Sequence, residues 1–410
     1  MPITFDKLAG WNKLLRDAKQ QPGSEFQKKA IIGVATDIQR EYRGDDKFPV
    51  VPSVELADVV FKDFVQKLLQ NKMMKAAMTF LVGRQYFDER THFVDRVFAA
   101  LNEHSLNAIP GPASTGKTHI AALWHVADYL IDPENTHVMG ASTSEGHLKT
   151  NLFASINNCF KNMVVEYKWH YASFFVGVDP NNPNGAITGV TYPQDSQEIA
   201  AFKGCHPMPR QVTHPKFGNR TRIRIILDEA SNMPDGVGKG LSSFLMSVKD
   251  DNQVKVTMCF NPFDDQHWTA KACAPAKGIF TLDPETAYDW VSHEGWKVTR
   301  LDGKKFENVK NKRNDIEGMM TFEAYRKMII LGEDRPECWT YARGFWPPRS
   351  SFGAVVQRYQ LEGRKIQPLF IDSVTNCGSC DTAVLGDEIV FASARWGRNG
   401  EVVWEERDAC

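Results

Sequence analysis

Eight residues, Gly111-Pro-Ala-Ser114-Thr115-Gly116-Lys117-Thr118, constrain this chain more than any others. They satisfy every fixed position of the pattern GxxxxGK[ST]. Such a loop turns successive backbone N–H groups toward an anion and runs into the N-terminus of a helix. It requires a strand before it and a helix after it, so it dictates an α/β layout. Both flanks comply. Leu106 to Ile109 is a short apolar run, and His119 to Ile131 is apolar at helical spacing. A loop of coincidental sequence is the competing reading, and these flanks argue against it. Gly111 and Gly116 suit positions where the backbone turns sharply with no room for a Cβ. Gly111, Ser114, Thr115, Gly116, Lys117 and Thr118 are therefore the candidate nucleotide-binding residues. Lys117 supplies a point charge to the β- and γ-phosphates, and Thr118 a hydroxyl to Mg²⁺.

A second constellation lies downstream. In Ile223-Arg-Ile-Ile-Leu-Asp228-Glu229 a buried strand ends in two adjacent acids. Ligands of a doubly wound sheet gather at the carboxyl ends of its strands. That places Asp228 on the Mg²⁺ held by Thr118, and Glu229 as the general base that polarises water at the γ-phosphate. The competing reading is a helix N-cap followed by an acidic first-turn residue. Asn261, in Phe260-Asn261-Pro262, closes the next strand. Its amide suits sensing of the γ-phosphate or orientation of water; a turn-forming Asn-Pro is the alternative.

Around these motifs, Thr136 to Ala141, Thr221 to Leu227 and Val254 to Phe260 read as strands alternating with helical segments. The expected fold is α/β, with a mainly parallel sheet and helices on both faces. Residues 1–104 read as a helical N-terminal region and 105–300 as the nucleotide-binding core. Residues 301–365 follow as a lid or linker. Residues 366–410 change character again, with a β-hairpin signature around Asn399-Gly400. With 410 residues, 42% of them hydrophobic, two to three domains with sizeable cores are expected. No run of eighteen apolar residues exists, so no membrane span is expected. The N-terminus lacks the apolar centre of a secretory signal. Eight scattered cysteines read as cytosolic thiols. A net charge of −1 confines any nucleic-acid contact to a local patch or to the lining of an assembly.

Taken in order, GPASTGKT, VMGASTSEGHLKT, AAFKGCHP, IRIILDEASNMPD, VKVTMCFNPF and YARGFWPP resemble the large terminase subunit of tailed bacteriophages, over roughly residues 80 to 400. The resemblance implies a P-loop NTPase core of the additional-catalytic-glutamate class that uses ATP and Mg²⁺ to drive double-stranded DNA into procapsids. It implies Lys117 and Thr118 on phosphate and Mg²⁺, Asp228 on the metal, Glu229 activating water, and Asn261 coupling hydrolysis to movement. It also implies a portal and a small terminase subunit as partners, and a homo-oligomeric ring of subunits on the portal. The setting would be the cytoplasm of a bacterial host, with transient residence on the procapsid. Two departures stand out. Many members carry an arginine inside the phosphate loop, where this chain has Pro112 to Thr115. Arg220, Arg222 and Arg224 are candidate replacements, and a solvated basic strand is the rival reading of them. Members also carry a C-terminal nuclease of RNase H-like fold. Cys380 to Asp387 resembles the opening of that domain, which implies Asp381 and Asp387 as metal carboxylates, with simple turn residues as the rival reading; two-metal cleavage needs several more carboxylates converging on ions about 4 Å apart. The expectation is that this chain alone does not cut DNA.

Weaker signals complete the reading. Cys377 and Cys380 have metal-ligand spacing without a second pair. Gln85, Tyr86 and Phe87 stand where such motors hold adenine, although core packing explains the aromatics as well. Asn308 to Arg313, with Lys304 and Lys305, form a basic cluster suited to DNA phosphates or to plain solvation. His119 and His125 read as structural. Two rival functions stay open: another P-loop helicase or translocase, and a degenerate prophage remnant that binds nucleotide without turnover.

Overall fold

The computed structural model describes residues 3–43, 49–86, 92–182, 185–192, 222–246, 248, 253–316, 319–330, 332–348, 377–381, 390–396 and 402–409, the last three segments as backbone only. Contacts divide the chain into two units, Met1–Pro348 and Arg349–Cys410.

The first unit is built on a nine-stranded sheet. Its strands are β1 (Leu106–Pro110), β2 (Thr136–Ser142), β3 (His170–Ala172), β4 (Phe175–Gly177), β5 (Ala186–Thr191), β6 (Arg222–Asp228), β7 (Val254–Phe260), β8 (Asp289–Val291) and β9 (Lys297–Thr299). Their order is β3-β4-β5-β2-β6-β7-β1-β9-β8. β5, β2, β6, β7, β1 and β9 run parallel, and β4 and β8 add antiparallel neighbours at the two sides. The chain steps from β1 to β2 across two intervening strands. That topological switch brings the ends of β1, β7 and β6 side by side, with Ile109 opposite Cys259 and Cys259 opposite Asp228.

The four strands expected in this sheet, β1, β2, β6 and β7, emerge within a residue of their forecast bounds. β3, β4, β8 and β9, three residues each, are too short to show a two-residue period in the sequence. β9 nevertheless pairs with β1, and Leu301 N–H just beyond it donates to Pro110 O at 2.9 Å.

Parallel strands are buried on both faces, so helices cover each side. Before the sheet come α1 (Phe5–Lys19), α2 (Glu25–Arg43), α3 (Val54–Gln70), α4 (Met74–Val82) and α5 (His92–Glu103); α6 (Lys117–Tyr129) follows β1. Ser53 caps α3 by accepting from Leu56 N–H. Ala57, Val60, Phe61, Phe64, Val65, Leu68 and Leu69 then form one buried stripe at helical spacing. α3 stops where Lys72 turns left-handed (φ +58°), and α4 starts two residues later. These helices are not a separate layer with a core of their own. Trp11, Phe61, Phe64 and Phe80 join Ala121, Trp124, Ile109 and Val138 in one apolar cluster on one face of the sheet. α6 is buried from Ile120 through Tyr129, on all sides, with His125 and Asp128 as its polar members there. Val237, Leu241, Phe244, Trp268, Phe345 and Trp346 cover the other face.

The arginines of β6 do not stand in for one in the phosphate loop. Arg222 and Arg224 lie at the amino end of β6, the opposite end from Asp228. Both pair with Asp128 of α6, at 2.8 and 2.5 Å. Arg224 is buried, so the strand is not a solvated basic one either. Burial alone would raise the Asp128 pKa, but the two guanidinium groups hold it below the ordinary carboxylate value. Replacing Asp128 with Ala strands the buried Arg224 cation, unpairs the partly exposed Arg222, and is expected to cost about 3–5 kcal/mol, read by chemical denaturation. Arg220 lies outside the described residues.

His125, on the same helix, is buried and bonded to Thr257 Oγ1 of β7 at 2.9 Å. Burial pushes its pKa down to about 3. The folded chain therefore keeps it neutral where the unfolded chain takes up a proton, below pH ~6.5. Stability falls as pH drops from there toward 3, by up to about 1.4 kcal/mol per unit. His125→Gln should flatten this slope by one proton in pH-dependent melting curves.

No helix among the described residues is long and apolar enough to cross a membrane. Cys159, Cys259, Cys273 and Cys338 are buried free thiols. The second unit holds an antiparallel meander of β10 (Cys377–Asp381), β11 (Val390–Trp396) and β12 (Val402–Ala409). Trp396 opposite Val402 closes the forecast hairpin. Asn399, Gly400 and Asp387 lie outside the described residues, as does the forecast boundary at 365–366.

Candidate nucleotide site

The phosphate loop leaves β1 at Pro110 and remains tied to β7, since Gly111 N–H donates to Phe260 O at 3.1 Å. Ser114 and Gly116 then take left-handed backbones, φ +53° and +72°. Gly116 thus serves the sharp turn expected of it. Gly111 does not: its role is to leave room. A Cβ there would lie 2.9 Å from Leu301 Cβ. Behind it Gly344 (φ +60°) packs so closely that its own Cβ would meet Leu301 O at 2.2 Å and Gly111 Cα at 2.8 Å. The YARGFWPP segment is therefore the back wall of the loop. Buried Arg300 holds it there, donating to Gly344 O at 3.2 Å, Arg343 O at 2.8 Å and Asp302 at 3.0 Å. Thr115 is buried, and its hydroxyl braces the turn on Pro112 O at 3.0 Å.

Lys117 and Thr118 open α6. Lys117 Nζ donates to Pro112 O (2.8 Å), Gly111 O (3.2 Å) and Asn261 Oδ1 (3.2 Å). Burial lowers its pKa, while Asp228 and Glu229 oppose the shift. Thr118 Oγ1 donates to Asp228 Oδ1 at 2.6 Å. Asp228 is 2% exposed, and its Oδ2 has no hydrogen-bond partner. Burial pushes its pKa up to about 6, against the Thr118 bond and the Lys117 charge that favour the ionised form. A buried, unpaired carboxylate oxygen beside a hydroxyl is a hard, oxygen-only donor set. It fits Mg²⁺.

Glu229 follows in a left-handed conformation, φ +58° and ψ +41°, costly for a residue with a Cβ. The turn after it holds the backbone, with Asn232 N–H donating to Glu229 O at 2.9 Å. Its Oε2 accepts from His147 Nδ1 at 2.7 Å. His147 belongs to none of the motifs that mark the other residues of the site. It sits just past the carboxyl end of β2, in the short helix Glu145–His147. The rule that ligands gather at strand ends, applied to β2 as it was to β6, was the available signal.

The structure thus brings Gly111, Ser114, Thr115, Gly116, Lys117, Thr118, Asp228, Glu229 and Asn261 together at the ends of three adjacent strands. Gln85 turns back to the end of α4, donating to Val82 O at 2.9 Å; the side chains of Tyr86 and Phe87 lie outside the described residues. In the basic cluster, Asn308 is buried, bridging Ile316 N–H and C=O at 3.1 and 3.0 Å. Lys304 pairs with Glu285 at 3.4 Å, and Lys310 and Lys312 are exposed. No three-acid, histidine or cysteine cluster of metal-site type occurs among the described residues. The side chains of Cys377, Cys380 and Asp381 are not among those described.

The sheet, the loop and the two strand-end acids define a P-loop NTPase fold. Solved structures of bacteriophage large terminases are similar to it. The large terminase of the thermophilic bacteriophage D6E shares 12% identity, covering 77% of this chain and 68% of that one, with a TM-score of 0.40. The same protein in complex with ADP gives 9% identity, the same coverage and a TM-score of 0.37. The HK97 bacteriophage large terminase shares 11% identity over 77% of this chain and 62% of that one, with a TM-score of 0.42. No family model matches the chain, and no curated protein matches it.

Proposed function

We propose that this chain is an ATP-hydrolysing motor subunit that moves double-stranded viral DNA into procapsids, the work of a large terminase subunit. The observation that carries the ATPase reading is the single seat shared by Lys117, Thr118–Asp228, Glu229 and Asn261. The DNA-packaging part rests on the ordered sequence elements that resemble that family, above all DEAS-x-x-P-D, FNP and ARGFWPP.

Lys117 meets the β- and γ-phosphates, exchanging its contacts with its own loop carbonyls for phosphate oxygens. Thr118 and Asp228 hold Mg²⁺, which when bound neutralises phosphate charge. Glu229 takes a proton from water as that oxygen bonds to the γ-phosphorus, and ADP departs with the electron pair of the broken P–O bond. Asn261, released from Lys117 as phosphate arrives, carries the state of the site into β7. Portal, small subunit and neighbouring copies are the partners of this reading. In a ring, a neighbour would supply the arginine that this loop lacks.

ATP hydrolysis by the purified chain, with and without double-stranded DNA, tests this. Turnover that double-stranded DNA accelerates more than single-stranded DNA supports the motor reading. Preference for single strands, with strand separation, would replace it by a helicase. Bound ATP that is never hydrolysed, even with portal present, would replace it by a nucleotide-binding remnant.

A further inference from the structure

We infer that His147 is a positioning residue for Glu229: it fixes one carboxylate oxygen so that the other faces the attacking water. This rests on the ATPase reading above. Glu229 needs such a partner. Its side chain is partly exposed, 29%, and leaves a left-handed backbone, so neither packing nor backbone sets its direction alone. Among the described residues its carboxylate has one hydrogen-bond partner, His147 Nδ1, on Oε2 at 2.7 Å. That bond occupies Oε2 and leaves Oε1 to receive the proton of water.

The seat of His147 is built for accuracy. Ser144 caps its helix, accepting from His147 N–H at 3.2 Å, while Leu148 N–H donates to Ser144 O at 2.9 Å. The chain continues without a break into a π-helical turn, Leu148–Leu152, a geometry that recurs at functional sites. Leu148 and Leu152 are fully buried against the sheet. They reach it through two glycines that face each other on neighbouring strands, Gly140 of β2 and Gly189 of β5. A Cβ on Gly140 would lie 2.7 Å from Leu152 Cδ2, and one on Gly189 2.8 Å from Leu148 Cδ2. The bare patch lets the turn lie flat. That sets the height of His147 above the strand ends where Glu229 emerges.

The test compares three substitutions of His147 in the full chain. Asn places an N–H close to the position of Nδ1, Gln places one nearer Nε2, and Ala places none. We expect His147→Ala to lower kcat by roughly 10- to 100-fold with KM for ATP little changed, as loss of an orienting partner does. His147→Asn should recover most of it and His147→Gln little. Unchanged kcat in His147→Ala, a raised kcat, or an equal loss in all three variants would overturn the inference. A second readout does not need turnover. In ¹⁵N-histidine-labelled protein, Nδ1 of His147 should carry the proton, and its shift should move in Glu229→Gln. A spectrum with the proton on Nε2 and no response to Glu229→Gln also overturns the inference. Absence of ATP hydrolysis in the unmodified chain, by contrast, overturns the proposed function, while the nitrogen spectrum still reports whether the contact exists.

Discussion

On the proposed function, the Glu229→Gln chain is expected to bind ATP about as well as the unmodified protein and to hydrolyse it roughly 10²–10⁴-fold more slowly. Glutamine keeps the length and shape of the side chain, and its carbonyl oxygen still accepts from His147. What it loses is the ability to take a proton from water. Binding survives because the carboxylate has no bond to the phosphate loop: its contact is His147, at 2.7 Å, across β6 from β1. Thr118, Asp228 and Lys117 keep their own bonds. Single-turnover hydrolysis, paired with nucleotide binding by equilibrium titration, separates the two effects. Turnover retained in the variant would move the base to another residue. Binding lost together with turnover would make Glu229 part of the nucleotide seat instead.

Lys117→Ala is expected to fail one step earlier, at binding. The ammonium already sits on an inward ring of oxygens, Gly111 O, Pro112 O and Asn261 Oδ1. Burial depresses its pKa, so its charge is under-solvated and gains strongly from an arriving phosphate. A charge-assisted bond of this type is worth about 1.5–3 kcal/mol, which corresponds to a dissociation constant for ATP raised about 10- to 100-fold or more. The substitution also cuts the link to Asn261, so residual turnover at saturating ATP should fall as well. Calorimetric titration with a non-hydrolysable ATP analogue checks the first effect. An unchanged affinity would show that the backbone N–H groups of the loop hold the phosphates without Lys117.

These two residues were readable in the sequence because their signals are local. Eight consecutive positions specify the phosphate loop, and an apolar run ending in two acids specifies the end of β6. What escaped was set by partners far along the chain. Arg222 and Arg224 alternate with isoleucine, a pattern that reads as one wet face. Asp128, 94 and 96 residues earlier, takes them both. Gly111 reads as a turn glycine, but its constraint comes from Leu301 and Gly344. His147 is a polar residue among serines, and only the order of strands puts it beside Glu229. The N-terminal periodicity showed that one face of each helix is buried. It could not show that α4 and α5 bury theirs against α6 while α1, α2 and α3 extend the same core.

That shared burial makes α6 a lever. It starts at Lys117 and runs 13 residues, about 20 Å, with its sides gripped along the way. Trp124 Nε1 donates to Asn102 just after mid-length, at 2.9 Å, and Gln66 of α3 donates to Leu130 O at the far end, at 2.6 Å. A rod held at these two points would turn a small displacement at Lys117 into a tilt felt by α3 through the Gln66 bond, with no hinge required.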